Sequence, residues 1–169
     1  WDTTSVYLQG VSLPQGKALY AQANNRYWLN RLYYEADVLI CLPVLKNHFI
    51  TGVTGAVKNV GIGATPPTIY GLGPGYPDPY QRSQGIYHGI PFSQRRPLHN
   101  WIHDYYLVRP VEFVVTDGLQ ALQSGPMAAG YDALEEAQMN MRLIMAGRDA
   151  LAVDTIHALI TGVDPEQVD

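Results

Sequence analysis

The sharpest change of pattern along the chain falls within residues 37–63. There the apolar run Val38-Leu39-Ile40-Cys41-Leu42 gives way to Pro43 and then to a polar cluster. A short unbroken apolar run between an acid and a proline predicts a strand covered on both faces, as in a parallel sheet. Pro43 has no N–H for the ladder and is expected to end the pairing. Beyond it, Thr51, Thr54 and Lys58 stand at i, i+3 and i+7. A helix opening at Thr51 as its N-cap would carry all of them on one face and would stop at Gly61 or Gly63.

Downstream the periods are plainer. Leu98, Trp101, Ile102, Tyr105 and Val108 recur at helical spacing, so residues 98–109 predict a helix ended by Pro110. Val111 to Thr116 is rich in β-formers and predicts a strand stopping at Asp117-Gly118. Residues 142–147 predict a further strand. Asp149 then suits the N-cap of a helix over 150–161, with Ala152, Val153, Ile156, Leu159 and Ile160 on its buried face. Upstream, Tyr7 to Leu13 reads as a strand or an extended arm, and Pro14-Gln15-Gly16-Lys17 as a turn.

Residues 64–97 hold no period and are dense in Pro, Gly and Tyr. A segment this long inside a domain is expected to be a lid or an oligomer interface rather than a linker, because its tyrosines give it something to pack with. His88 lies within it. Strands alternating with helices give an α/β fold: a mostly parallel sheet with helices on both faces and 64–97 as a loop insertion, in one domain. A chain that begins at Trp1 rather than Met reads as a truncated piece of a longer protein.

Composition narrows the function classes. With a net charge of −4 and few lysines, nothing in the sequence resembles a nucleic-acid footprint, which would need a basic face. No apolar run approaches the ~18 residues of a membrane span. The single cysteine, Cys41, sits in the middle of the predicted strand and reads as a small core hydrophobe. It excludes an internal disulfide, and it excludes an iron–sulfur cluster held by this chain alone.

The candidate chemistry gathers where the first strand ends. Lys46, His48, Thr51, Thr54, Lys58 and Asn59 crowd into one short stretch, and Gly52 and Gly55 remove bulk beside them. Ligands of open α/β sheets bind just past strand ends. Two lysines, hydroxyls and a helix N-terminus there favour an anionic small molecule. The stretch is not a Walker A loop, which needs G-x-x-x-x-G-K-[ST]. Parallel strands would bring Lys46/His48, Asp117 and Arg148/Asp149 to the same sheet edge. Asp154 lies within an apolar helix and needs a partner, with Lys46, Lys58 or a metal as candidates. His99 and His103 stand at i, i+4, a spacing that can hold a metal, but without the glutamate of H-E-x-x-H.

The segment A-D-V-L-I-C-L-P-V-L-K-N-H-F-I-T-G-V-T-G-A-V-K-N-V-G resembles the signature of the DUF362 family, P-x-L-K-x-H followed by T-G-x-T-G-A-x-K-N-x-x-G. The resemblance runs on through Leu98-His99, Val114 to Gly118, Gly125-Pro126 and Asp149 to Asp154. It implies a domain of unestablished function that often accompanies ferredoxin-like iron–sulfur modules, and it gives His99 a second claim as a site residue. An earlier α/β portion and a cluster in a missing or partner module are what it leads one to expect.

Three functions follow as expectations. The first is a redox-linked enzyme domain with a ferredoxin-like partner. Lys46, His48, Lys58 and Asp117 would be catalytic, and Thr51, Thr54, Asn59, His99, Asp149 and Asp154 would bind the ligand. The second is a metal site drawn from His48, His99, His103 and Asp117, since K-x-H…T-G…K-N-x-x-G loosely resembles nickel-pincer racemases. The third is a non-enzymatic ligand-binding or assembly module.

Overall fold

The structure is a computed structural model and describes residues 7–20, 25–66, 95–123, 125 and 132–167. Most of the expected lid at 64–97, with His88, lies outside the described residues. Contacts gather the chain into two compact units: residues 1–37 with 60–110, and residues 38–59 with 111–169.

The first unit holds an antiparallel pair, β1 (Leu8–Ser12) and β2 (Arg26–Asn30), in the register Leu8↔Asn30 to Ser12↔Arg26. A short helix α1 (Arg31–Glu35) follows at once, because Asn30 caps it by accepting the Leu32 N–H at 2.9 Å. Its long helix, α3 (Arg95–Val108), begins before the expected Leu98 and stops before Pro110. The apolar stripe read from the sequence is its buried face: Leu98, Trp101, Ile102, Tyr105 and Val108 are all buried. Trp101 stacks on Tyr105 at 5.6 Å and meets Tyr27 at 5.4 Å. Each polar tip of this cluster is used: Trp101 Nε1 donates to Gly61 O, and Tyr105 Oη donates to Trp28 O and Ala64 O.

At the centre of this unit lies a carboxylate. Asp104 is fully buried and accepts the N–H groups of Leu19 and Tyr20 at 2.7 and 2.8 Å, Tyr27 Oη at 2.5 Å and His103 Nδ1 at 2.8 Å. Burial alone would raise its pKa. The bonds from Leu19, Tyr27, His103 and Tyr20 outweigh that and hold it below the ordinary carboxylate value.

The second unit is the mixed sheet of an α/β fold. Its strands are β3 (Ile40–Cys41), β4 (Val44–His48), β5 (Gly52–Thr54), β6 (Phe113–Leu122), β7 (Gln138–Met139) and β8 (Leu143–Gly147). The parallel pairs are β3 and β4 with β6; β5 on β4, and β7 and β8 on β6, run antiparallel. The helices are α2 (Ala56–Gly63), α4 (Leu134–Ala137) and α5 (Ala150–Ile160), and the unit boundary falls inside α2.

Several expectations change here for physical reasons. Pro43 interrupts the strand without ending it. Ile40↔Phe113, Cys41↔Val114 and Val44↔Asp117 keep one register, and Pro43 contributes the acceptor it still has, taking the Asp117 N–H at 2.9 Å. The apolar run 38–42 is covered on one face only. Cys41 is buried, whereas Val38, Ile40 and Leu42 are 61%, 57% and 69% exposed. Helix α5 packs against β5, β6 and β8. Gly147 fits there because a Cβ on it would press into Val153. The opposite face carries Ile40, Val44, Leu119 and Ile144, all exposed. On α5 the buried set is Ala150, Val153, Asp154, His157 and Ala158, while the expected Ala152, Ile156, Leu159 and Ile160 lie outward. The buried stripe there is set by polar groups with partners, which a hydrophobic period cannot register.

Candidate functional site

The polar stretch does not form one helix. His48 ends β4, a tight turn follows, and β5 runs back antiparallel with Lys46↔Thr54, Asn47↔Val53 and His48↔Gly52. Gly52 takes φ +70, which suits glycine at the turn. Directly opposed residues share a face, so Lys46 and Thr54 stand side by side on this hairpin, with His48 two positions along β4 on the same face. Thr51 is therefore a turn residue rather than an N-cap. Its hydroxyl donates to Val53 O at 3.0 Å. His48 serves the same turn: its Nδ1 accepts the N–H groups of Ile50 and Thr51 at 3.1 and 3.3 Å, which places the ring proton on Nε2. Phe49 stacks on its ring at 5.1 Å.

Helix α2 starts two residues after Thr54, and Asp154 provides its cap from α5. The Ala56 and Val57 N–H groups donate to Asp154 Oδ1 and Oδ2 at 2.7 and 2.9 Å. A carboxylate at a helix N-terminus is favoured by both the free N–H groups and the macrodipole. This is the partner that Asp154 needed, in place of a lysine or a metal. The helix N-terminus sought for an external anion is thus occupied by an internal one. Burial raises the Asp154 pKa to about 6, against the lowering pull of the Val57 and Ala56 bonds.

Lys58 lies in the first turn of α2 and is only 8% exposed. Burial first, and the charge of Lys46 second, bring its pKa down from 10.5 to about 8. The chain has three lysines, Lys17, Lys46 and Lys58. Two of them stand close enough here for one to depress the other. Between them in sequence, Thr54 is 6% exposed and its Oγ1 has no hydrogen-bond partner among the described residues. A buried hydroxyl without a partner costs about 1–3 kcal/mol. Neighbouring like charges cost more as they leave water.

The other expected residues are placed as follows. Asn59 donates Nδ2 to Cys41 Sγ at 3.3 Å. Burial raises the pKa of that thiol, which marks it as unreactive. Asp117 lies within β6 rather than at its end; it is exposed and accepts the Leu119 N–H at 3.0 Å. Asp149 caps α5 through Ala152 N at 3.0 Å. Because β8 is antiparallel to β6, its end pairs at Val114, while Lys46 pairs at Leu122. Asp149 therefore does not join the edge that carries Lys46, as all-parallel strands would have required. His99 and His103 belong to the first unit, on α3. Among the described residues, no three His, Cys, Asp or Glu side chains gather as a metal would need.

The family model of DUF362, described as a domain of unknown function, matches residues 6–158. This chain belongs to the DUF362 family. No curated protein and no solved structure matches it. No helix among the described residues of this DUF362 domain is long and apolar enough to cross a membrane.

One site residue escaped the sequence reading. His157 is fully buried, and its Nε2 accepts the Lys46 N–H at 3.1 Å. That N–H is available because the β4–β6 register shifts between Val44 and Lys46. Burial lowers the His157 pKa to about 4, against the raising effect of the Lys46 bond, so the ring is neutral. With Nε2 accepting, the proton sits on Nδ1, which has no partner among the described residues. The available signal was its i, i+3 spacing from Asp154, which places both on one face of α5.

Proposed function

We propose that this DUF362 domain is an enzyme module that holds an anionic small molecule at Lys46, Thr54 and Lys58. The observation that carries the reading is the pairing of a buried lysine with a second lysine, beside a buried hydroxyl with no partner among the described residues. A buried lysine beside a second, half-buried lysine suits a site that receives negative charge. Asp154 and His157 act as positioning residues, the first fixing α2 and with it Lys58, the second fixing the backbone of Lys46.

Any electron transfer in this reading draws on a ferredoxin-like partner, because the one cysteine is buried and bonded to Asn59. His48 contributes to the hairpin's shape, and its Nε2–H faces away from the turn it caps.

A thermal-shift screen against small carboxylates and phosphorylated metabolites tests the proposal. A ligand that binds only the folded state raises Tm by mass action. The expected result is a carboxylate or phosphate that shifts the wild type and leaves Lys46→Ala/Lys58→Ala unmoved. Equal shifts in both proteins, or none in a folded wild type, would overturn it.

An assembly role has one observation of its own. Ile40, Val44, Leu119 and Ile144 are exposed on one sheet face. Light scattering on the purified chain tests this second reading: an oligomer dispersed by Ile144→Lys supports it, and a monomer counts against it.

A further inference from the structure

Parallel strands normally have both faces covered. Among the described residues, helix α5 covers only one face of this sheet. The register maps the open face rung by rung, because directly opposed residues share a face and so do residues two apart. Val44, Asp117 and Ile144 stand side by side on one rung. The next holds Leu42, Val115 and Ala146, and the one beyond it Ile40 and Phe113. Arg148 follows Ala146 by two residues and is exposed. Ile40, Leu42, Val44, Leu119 and Ile144 are all exposed. They offer on the order of 500 Å² of apolar surface, well towards the ~800 Å² that each partner of a standard interface gives up. Among the described residues, Asp117 accepts only the Leu119 N–H, and Arg148 is in no ion pair. An acid and a base thus stand on opposite sides of the Val115–Ala146 rung.

We infer that this face pairs with the same face of a second copy, about a two-fold axis crossing the Leu42–Val115–Ala146 rung. The inference rests on the assembly reading and adds to it the symmetry and the contacts. Such an axis sets Leu42 and Val115 against themselves and Val44 of each copy over Ile40 of the other. It also brings Asp117 of each copy to Arg148 of the other, so the ion pair forms twice. Stacked sheets lie about 10 Å apart, a gap that an arginine and an aspartate span together. An axis through Asp117 itself would oppose two carboxylates, which is costly. The apolar rungs supply the affinity, and the ion pairs set the register.

Sedimentation analysis over a concentration series tests it, with circular dichroism confirming that each variant is folded. The wild type is expected to dimerise. Asp117→Arg sets arginine against arginine, and Arg148→Asp sets aspartate against aspartate. Each change alone should weaken the dimer at least about tenfold. Mixed together, the two variants regain both ion pairs and should form a mixed dimer. Arg142→Asp, just before β8, should leave the wild-type dimer intact. A dimer that ignores both reversals, or two weakened variants that fail to pair when mixed, would overturn this pairing. The assembly reading would then stand if Ile144→Lys still disperses the dimer. A wild type that stays monomeric overturns both.

Discussion

Gly55 lies directly under the carboxylate of Asp154: a Cβ built on Gly55 would fall among the carboxylate atoms themselves. The same carboxylate holds the next two N–H groups of the chain, on Ala56 and Val57. The glycine of T-G-A thus makes room for an internal anion where an external one was expected. Gly55→Ala must push α5 off α2. Overpacking costs about 1–3 kcal/mol, and weakening a charge-assisted bond adds about 1.5–3 kcal/mol. Urea unfolding should show a loss of about 3 kcal/mol or more; a loss under about 1 kcal/mol would contradict the close approach.

Asp154 and His157 make the stability of the second unit depend on pH in opposite directions. The Asp154 pKa is raised to about 6, so between about pH 4 and that value the folded state binds the extra proton. Its stabilising contribution is full below the unfolded pKa and is lost as pH rises through about 6. The His157 pKa is lowered to about 4, so the unfolded state binds the extra proton up to about pH 6.5. That stability is present above the unfolded pKa and is lost as pH falls towards about 4. The two partly cancel in the wild type. Asp154→Asn removes the first, and its stability should then climb with pH from about 4 to about 6.5 more steeply than the wild type's. Parallel Tm–pH curves for the two proteins would exclude this account.

In the first unit the sign is simpler. The Asp104 pKa is lowered, so its contribution is present above the unfolded value and is lost as acid titrates it. Asp104→Ala strands the Leu19, Tyr20 and Tyr27 donors in a buried place. It should cost about 3–5 kcal/mol and erase much of the near-UV signal of the Tyr27–Trp101–Tyr105 cluster. Retention of that signal with full stability would remove Asp104 from the centre of this unit.

Thr54→Val separates binding from folding. The hydroxyl has no hydrogen-bond partner among the described residues, so replacing it by a methyl of like shape should leave Tm unchanged or raise it. The same change should weaken an anion by about 0.5–1.5 kcal/mol, roughly twofold to twelvefold in Kd. A fall in Tm with unchanged affinity would place the hydroxyl in the fold rather than in the site.

The elements were legible where one physical cause set them. The apolar period of α3, the Asp149 cap of α5 and the strand at 143–147 were all plain in the sequence. The DUF362 signature located the polar stretch. What the sequence hid depends on contacts far along the chain. The i, i+3, i+7 spacing of Thr51, Thr54 and Lys58 suggested one helix, but His48 and Gly52 fold a hairpin into its first half. Pro43 suggested a strand end, yet its carbonyl sustains the register. Asp154 suggested a lysine or metal partner because the sequence does not reveal which backbone N–H groups lie uncapped. The antiparallel run of β8 removed Asp149 from the Lys46 edge, and no local pattern reports strand direction.

The central claim is that Lys46 and Lys58 form one site for negative charge. Competitive acetylation of the folded chain tests it most directly, run from about pH 6 to about pH 10 with and without malonate or inorganic phosphate and read per lysine by mass spectrometry. The account predicts that Lys58 reactivity rises with a midpoint near 8, and that one of the anions slows labelling of Lys46 and Lys58 together while leaving Lys17 untouched. A Lys58 whose reactivity shows no midpoint near 8 and that neither anion protects would contradict it.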